Sequence, residues 1–108
     1  GRTFVLEVDN KIVGFTTYKM TNYNDYHDAG ELQALYIVKE YQKYGFGKIL
    51  VNRVKEELKS MGFNKMIRCC LKGNPSNEFY KHIGGKYIKD GVFKRLNLPE
   101  NIYYFENI

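Results

Sequence analysis

The 108-residue chain lacks the features of a metal site, a disulfide framework or a membrane span. Its two cysteines, Cys69 and Cys70, are adjacent, and neighbouring strand residues point to opposite faces, so no bridge between them is expected. The absence of a Cys-x-x-Cys pair or a His/Cys cluster argues against zinc, and we expect no metal. Free thiols favour a reducing, cytoplasmic compartment. No apolar run approaches ~20 residues, so no membrane segment is predicted.

Tryptophan is also absent, but the composition is that of a globular domain. Hydrophobic residues make up 44% of the chain and aromatic residues 16%. A chain of 108 residues can bury one core, so we expect a single domain over residues 1–108. The net charge of +5 suits a phosphate-bearing ligand or weak nucleic-acid contact. No aromatic-basic recognition motif accompanies it, so a nucleic-acid partner is not expected.

Hydrophobic periodicity predicts two helices and six strands. Leu50, Val54, Leu58 and Met61 recur at helical spacing and predict a helix over residues 47–61. Asn74 and Pro75 are typical of a helix start, and predict a short helix that ends at residues 84–85. Alternating or apolar runs predict strands over residues 2–8, 11–20, 30–38, 64–71, 86–93 and 102–105.

The order of these elements is β-β-β-α-β-α-β-β. A tight turn is expected at Asp9 and Asn10, and a polar loop over residues 21–29. One strand-helix-strand unit in the middle implies a single parallel crossover within a mostly antiparallel sheet. The predicted fold class is therefore α+β, with a mixed sheet and the helices on one face or on both.

A glycine-containing loop follows the third strand and opens the first helix. It consists of Gln42, Lys43, Tyr44, Gly45, Phe46, Gly47 and Lys48. The first amides of a helix lack intrahelical partners and attract anions, so this segment could hold a pyrophosphate. A Walker loop is excluded because Gln42 and Ile49 occupy required positions, and a dinucleotide loop because Leu50 does. On pattern alone, a tight turn without ligand remains an alternative.

Two motifs give this segment a family context. Q-x-x-G-x-G after a strand ending Leu35-Tyr36-Ile37-Val38, within ELQALYIVKEYQKYGFGKILVNRV, resembles the acetyl-CoA signature of the GNAT superfamily. Further on, NPSNEFYKHIGGKY resembles the second motif of that family. The resemblance implies a GNAT-type fold, acetyl-CoA as cosubstrate, and direct transfer of its acetyl group to a primary amine of a small molecule or a protein.

The resemblance also implies cofactor contacts. The pantetheine arm would pair with the open strand edge at Leu35, Tyr36 and Ile37, and a backbone N–H near Tyr36 or Ile37 would polarise the thioester carbonyl. The pyrophosphate would lie on the amides of residues 43–48. Lys39 stands where many members have proline, which changes the loop entry but removes no amide donor. Asn74 would contact the cofactor arm, cap the second helix, or do both.

Two residues match catalytic positions of the family. Tyr80 would protonate the departing thiolate, and its alternative is core packing. Glu31, eleven residues before Gln42, matches the base of the histone-acetylating branch, and its alternative is an exposed strand-edge charge. The base position of another branch is occupied by Met66, Ile67 or Arg68 instead. His27 and His82 match no family site, and an acetyl-cysteine route is conceivable but less favoured than core packing of the thiols.

The match ends at the amino side. Family members normally begin with a strand and two helices that precede the hairpin found here and form one wall of the acceptor pocket. We therefore expect a naturally minimal member, a fragment, or a chain completed by a partner. Without that cover Phe4 and Leu6 would be exposed, which predicts a homodimer. The alternative function is a non-catalytic acyl-CoA-binding or regulatory module.

Overall fold

The computed structural model describes residues 2–21 and 23–108, so Asn22 of the predicted polar loop lies outside the described residues. The helices are α1 (Phe46–Ser60) and α2 (Ser76–His82), and short 3-10 turns lie at Asn24–Tyr26, before β3, and at Lys39–Tyr44, before α1. The strands are β1 (Arg2–Val8), β2 (Lys11–Met20), β3 (Gly30–Ile37), β4 (Lys65–Leu71), β5 (Lys86–Phe93) and β6 (Leu98–Glu106).

The six strands form one sheet in the order β1-β2-β3-β4-β6-β5. Only β3 and β4 are parallel, and every other neighbouring pair is antiparallel. The β1–β2 hairpin turns at Asp9 and Asn10, with φ of 50° and 65°, which is the left-handed conformation that matches strand twist. The predicted element order and the α+β fold class, with a mixed and mostly antiparallel sheet, are confirmed.

Both helices pack on the same face of the sheet. Val54 and Leu58 of α1 and Tyr80 of α2 belong to one cluster of buried residues, together with strand residues such as Leu32 and Met66. Gly30 lets α1 approach, because a Cβ there would lie 2.4 Å from Leu58. The opposite face of β3, β4 and β6 is therefore free of α-helix among the described residues.

Two details differ from the sequence expectations. β6 begins at Leu98 rather than at residue 102. Pro99 does not prevent this, because it lies at the second residue of the strand, opposite Val92, where its missing backbone N–H breaks no hydrogen bond of the sheet. Phe4 and Leu6 of β1 are half-buried rather than uncovered. The Arg53 guanidinium lies 4.4 Å from the centroid of the Phe4 ring, and thus α1 supplies the cover.

Candidate functional site

The strands β3 and β4 separate after a short parallel contact. Their pairing is limited to Gly30, Glu31 and Leu32 of β3 with residues 66–68 of β4. Gln33 is an extra residue in β3, because the neighbouring β2 residues Thr17 and Tyr18 pair with Ala34 and Leu32. A bulge bends its strand. Beyond this bulge β3 and β4 no longer pair, and the space between them is called the β3–β4 gap.

Side chains donate hydrogen bonds to backbone carbonyls at the two ends of the β3–β4 gap. Arg68 Nη1 donates to the carbonyls of Leu32 and Gln33, at 3.3 and 2.8 Å. Gln42 Nε2 donates to the carbonyl of Ile37 at 2.9 Å. Leu35 lies between these ends. Alternate residues of a strand direct their backbone groups to the same edge, so Leu35, like Gln33 and Ile37, presents its N–H and C=O to the gap.

The glycine loop is more regular than the sequence indicated. Residues 39–44 form a 3-10 turn, and Gly45 then takes a left-handed φ of 77° as the N-cap of α1. The first turn of α1 contains Lys48 and no acidic residue. Its amides have no intrahelical partner, and Gly45 has no side chain to cap them. This end of α1 therefore attracts an anion.

Gly47 serves helix packing rather than the turn. A Cβ at this position would lie 3.2 Å from the Phe79 ring of α2. Tyr44 and Phe46 lie on the outside of the loop with ring centroids 5.7 Å apart, and Lys43 Nζ is 5.6 Å from the Tyr44 centroid.

Asn74 acts as the cap of α2. Its Oδ1 accepts a 2.8 Å hydrogen bond from the Ser76 N–H, and Pro75 already has helical dihedral angles. The side chain is exposed at the surface. The neighbouring Asn77 is buried, and its Oδ1 accepts from Asn101 and from the Tyr103 hydroxyl. This network fixes the start of α2 against β6.

Tyr80 is 1% exposed and lies against Arg68, whose guanidinium carbon is 5.0 Å from the ring centroid. Burial raises the pKa of the Tyr80 hydroxyl, and the Arg68 charge opposes the rise. The buried Nε of Arg68 has no hydrogen-bond partner among the described residues. Tyr80 is therefore a core residue that also belongs to the polar edge of the β3–β4 gap.

A cavity of about 330 Å³ lies on the face of the sheet opposite the helices. Glu31 and Glu100 line it and are only 8% and 6% exposed. The Tyr23 hydroxyl donates to Glu100 Oε2 at 2.6 Å. Burial raises the pKa of Glu31, and the Glu100 charge adds to the rise, while Lys19 and Arg68 oppose it. Glu31 is thus a buried carboxyl in a cavity, not an exposed strand-edge charge.

The cavity adjoins the β3–β4 gap, because the bulge residue Gln33 lines both. Cys69 is a further lining residue, and both cysteines are free thiols. Burial and the charges of Glu100 and Glu31 raise the pKa of the Cys69 thiol above its ordinary value, so the thiol stays protonated at neutral pH. The protonated thiol is a poor nucleophile, which argues against an acetyl-cysteine route.

The structure brings most of the predicted residues together around one gap. One side of the gap consists of Leu35, Tyr36 and Ile37 and of the loop residues 42–48. The positive charge of Arg68 acts on both Glu31 and Tyr80 and opposes the rise in the pKa of each. The Tyr36 side chain points away from the core, is 53% exposed and contacts Phe15. Neither His27 nor His82 lines the cavity, and both are exposed.

Sequence reasoning missed Glu100, Tyr23 and Arg68 as members of the site. Glu100 was placed in a loop because the final strand was predicted to begin at residue 102, after Pro99. Its partner Tyr23 lies 77 residues away in the chain. The pairing of β6 with β4, which no local pattern reveals, brings Glu100 to the cavity of Glu31, and Tyr23 joins it through its hydrogen bond with Glu100.

Within residues 2–21 and 23–108, no group of three or more His, Cys, Asp or Glu side chains is arranged to hold a metal ion. In the same residues, neither helix is long and apolar enough to cross a membrane.

Similarity to known proteins identifies the family of the chain. The model of the GNAT acetyltransferase family matches residues 1–84. The uncharacterised N-acetyltransferase YuaI of Bacillus subtilis is 28% identical over 83 residues, which are 77% of this chain and 48% of YuaI. The chain thus spans about half the length of this curated relative.

Solved structures agree in fold. The PaiA N-acetyltransferase of Thermoplasma acidophilum, in complex with coenzyme A, has a TM-score of 0.78 and 21% identity, over 96% of this chain and 59% of that one. A GNAT acetyltransferase of Elizabethkingia anophelis with acetyl-CoA bound has a TM-score of 0.79 and 14% identity, over 96% and 74%. With its family motifs, its β3–β4 gap and its sheet order, this chain belongs to the GNAT family of acetyltransferases.

Proposed function

We propose that this chain transfers the acetyl group of acetyl-CoA directly to a primary amine. The observation that carries the proposal is the β3–β4 gap, which has helix amides at one end and a cavity with a buried carboxyl beside it. Relatives of the same fold bind coenzyme A or acetyl-CoA. The whole chain, residues 1–108, would act as one domain, and no metal would take part.

The residues along the gap fit acetyl-CoA. The amides of residues 43–48, with Lys43 and Lys48 beside them, would hold the pyrophosphate. Leu35 would pair with an amide of the pantetheine arm, and its N–H would polarise the thioester carbonyl, as expected for a fixed backbone donor. Tyr36 and Ile37 would flank the arm, and Gln42 would hold the loop through its bond to Ile37. Asn74 would contact the cofactor arm from its cap position.

Glu31 would act as the general base. An amine with an ordinary pKa of ~10.4 needs roughly 4–5 kcal/mol to lose its proton at neutral pH. A buried carboxylate with a raised pKa is better matched to that proton transfer than an exposed one. Glu31 would take a proton from the ammonium group, and the freed nitrogen lone pair would form the new C–N bond.

Tyr80 would donate its proton to the sulfur as the C–S bond breaks. The net reaction converts an ammonium ion and acetyl-CoA into an N-acetyl amide, free coenzyme A and one proton, so atoms and charge balance. The second proton of the attacking nitrogen would then return to Tyr80, and the proximity of Arg68 would stabilise the tyrosinate in the interval. The transfer needs no covalent intermediate on the protein, consistent with the protonated state of Cys69.

The test is acetylation itself. The 108-residue chain is incubated with acetyl-CoA and a panel of primary amines, and release of coenzyme A and formation of the amide are measured together. Acetyl-CoA should also raise the melting temperature by mass action. Stabilisation without acetylation of any amine would favour the non-catalytic acyl-CoA-binding module, and the lack of both would overturn the proposal.

A further inference from the structure

The cavity opposite the helices has charges of opposite sign at its floor and its mouth. The floor consists of the buried carboxyls Glu31 and Glu100. The mouth includes Lys94 and Arg95, which are exposed on the turn between β5 and β6. A ligand that enters therefore meets two cations before it reaches two carboxyl groups.

The cations at the mouth have no counter-ion in the described part of the chain. Within residues 2–21 and 23–108, neither Lys94 nor Arg95 forms an ion pair, whereas the nearby Lys89 and Lys86 of β5 pair with Asp25 and Glu106. Lys19 adds a third positive charge to the lining, so cations outnumber carboxyls. A purely cationic amine would be repelled as it approached.

We propose that the acceptor is a small dipolar amine, which carries its primary ammonium group at one end and an anionic group at the other. This inference rests on the proposed function. The ammonium group would lie against Glu31 and Glu100, within reach of the β3–β4 gap. The anionic group, a carboxylate or a phosphate, would bind Lys94 and Arg95, because a guanidinium donates two parallel hydrogen bonds to either group.

The size of the cavity favours a small molecule over a protein segment. A volume of about 330 Å³ is near the lower end of the range for small-ligand pockets. Binding of the anionic end at the turn would also orient the ammonium end, so that the nitrogen points toward the gap and not toward solvent. Such positioning contributes to rate as well as to affinity.

The experiment compares acceptors of matched length with acetyl-CoA as donor. β-Alanine, 4-aminobutyrate and 6-aminohexanoate supply an amine and a carboxylate, and O-phosphoethanolamine supplies an amine and a phosphate. The controls are the uncharged-tail alkylamines and the terminal diamines with three, four and six carbons. We expect kcat/KM for the best dipolar amine to exceed that of both controls by roughly tenfold or more.

Variants of the turn locate the effect. Lys94→Gln with Arg95→Gln should abolish the preference for the dipolar amine, because it lowers kcat/KM for that amine and raises kcat/KM for the alkylamine, from which two repelling charges are removed. Lys94→Glu with Arg95→Glu should shift the preference to the diamine. Lys59→Gln, an exposed lysine in the last turn of α1, is the matched control and should change neither rate.

The outcomes separate this inference from the proposed function. If alkylamines or diamines are acetylated as well as the dipolar amines, the chain is an acetyltransferase and the dipolar acceptor is wrong. If no amine is acetylated while acetyl-CoA still stabilises the chain, the proposed function fails and the acceptor class fails with it. A dipolar preference that survives in both turn variants would overturn the role of Lys94 and Arg95.

Discussion

The two sides of the β3–β4 gap are built from different kinds of groups. On the helix side, the binding groups are backbone amides, presented by Gly45 and the first turn of α1 at the surface. On the cavity side, they are side chains, with Glu31 and Glu100 almost fully buried. Ligand binding on the helix side therefore depends on the backbone conformation, whereas on the cavity side it depends on the identity of the side chains.

This difference determines what each side tolerates. A backbone site keeps its donors through most side-chain changes but fails when the turn is altered or a charge is added beside it. A side-chain site fails when one titratable group is neutralised, because the low-polarity surroundings strengthen every charge within it. Substitutions should therefore affect mainly rate on the cavity side and mainly acetyl-CoA affinity on the helix side.

The largest effect is expected at Glu31. Glu31→Gln keeps the size of the side chain and removes the base, so kcat should fall by roughly 10²–10⁴-fold. Affinity for acetyl-CoA, measured by calorimetry, should remain unchanged. Glu106→Gln, an exposed carboxyl on β6, is the matched control and should retain full activity. A kcat within twofold of the parent would remove Glu31 from the mechanism.

The pH dependence sharpens this test. The pKa of Glu31 is raised above 4.5 by burial and Glu100, against Lys19, Arg68 and a hydrogen bond with Thr21. The carboxyl must be ionised to act as a base, so kcat/KM should rise with pH along a limb displaced above that value. The limb should vanish in Glu31→Gln, and its persistence would assign it to another group.

Stability should change in the opposite direction to activity. The pKa of Glu31 is higher in the folded chain than in the unfolded chain, so ionisation of Glu31 lowers the free energy of unfolding. This cost is fully present at a pH above the folded pKa and absent at a pH below the unfolded pKa. Glu31→Gln removes that cost, so its melting temperature at neutral pH should not be lower than that of the parent. Loss of rate without loss of stability would exclude unfolding as the cause.

Tyr80→Phe should have the next largest effect. The ring remains in the core, and only the proton donor is lost, so kcat should fall by roughly 10²-fold with little change in acetyl-CoA affinity. The control is Tyr103→Phe, a second buried tyrosine of the same cluster whose hydroxyl donates to Asn77. It should lower stability and keep kcat. Equal kcat in the parent and Tyr80→Phe would leave Tyr80 as core packing alone.

Gly45→Asp should act on affinity and not on chemistry. The side chain would add a negative charge beside the amides that hold the pyrophosphate, and we expect roughly tenfold weaker binding of acetyl-CoA. Gly45→Asn is the matched control, since it imposes the same backbone strain at φ 77° without the charge. Similar stabilisation of both variants by acetyl-CoA would place the phosphates elsewhere.

The same contrast explains how much of the molecule the sequence could predict. The loop of residues 42–48 was found because glycine spacing and a helix start are local features. The 3-10 turn that leads into this loop was missed, since Lys39–Tyr44 has no strong periodicity of its own. On the cavity side only Glu31 was found, and through a family motif. Glu100 and Tyr23 meet there through sheet pairing and a bond across 77 residues, which no local pattern encodes.

The smallest effect on activity is expected at the edge of the sheet. Among the described residues β1 pairs only with β2, so its outer edge presents unpaired backbone groups, and Val5 is 56% exposed. Such an edge recruits a second strand, and we predict a homodimer that buries about 800 Å² per partner, although Arg2 and Glu7 would weaken the contact. Val5→Lys should shift light-scattering masses toward the monomer across a tenfold dilution, because an edge lysine opposes strand addition. The value of kcat should stay unchanged, because β2 separates β1 from the β3–β4 gap. A mass of one chain for the parent at every concentration would show that the edge is not used.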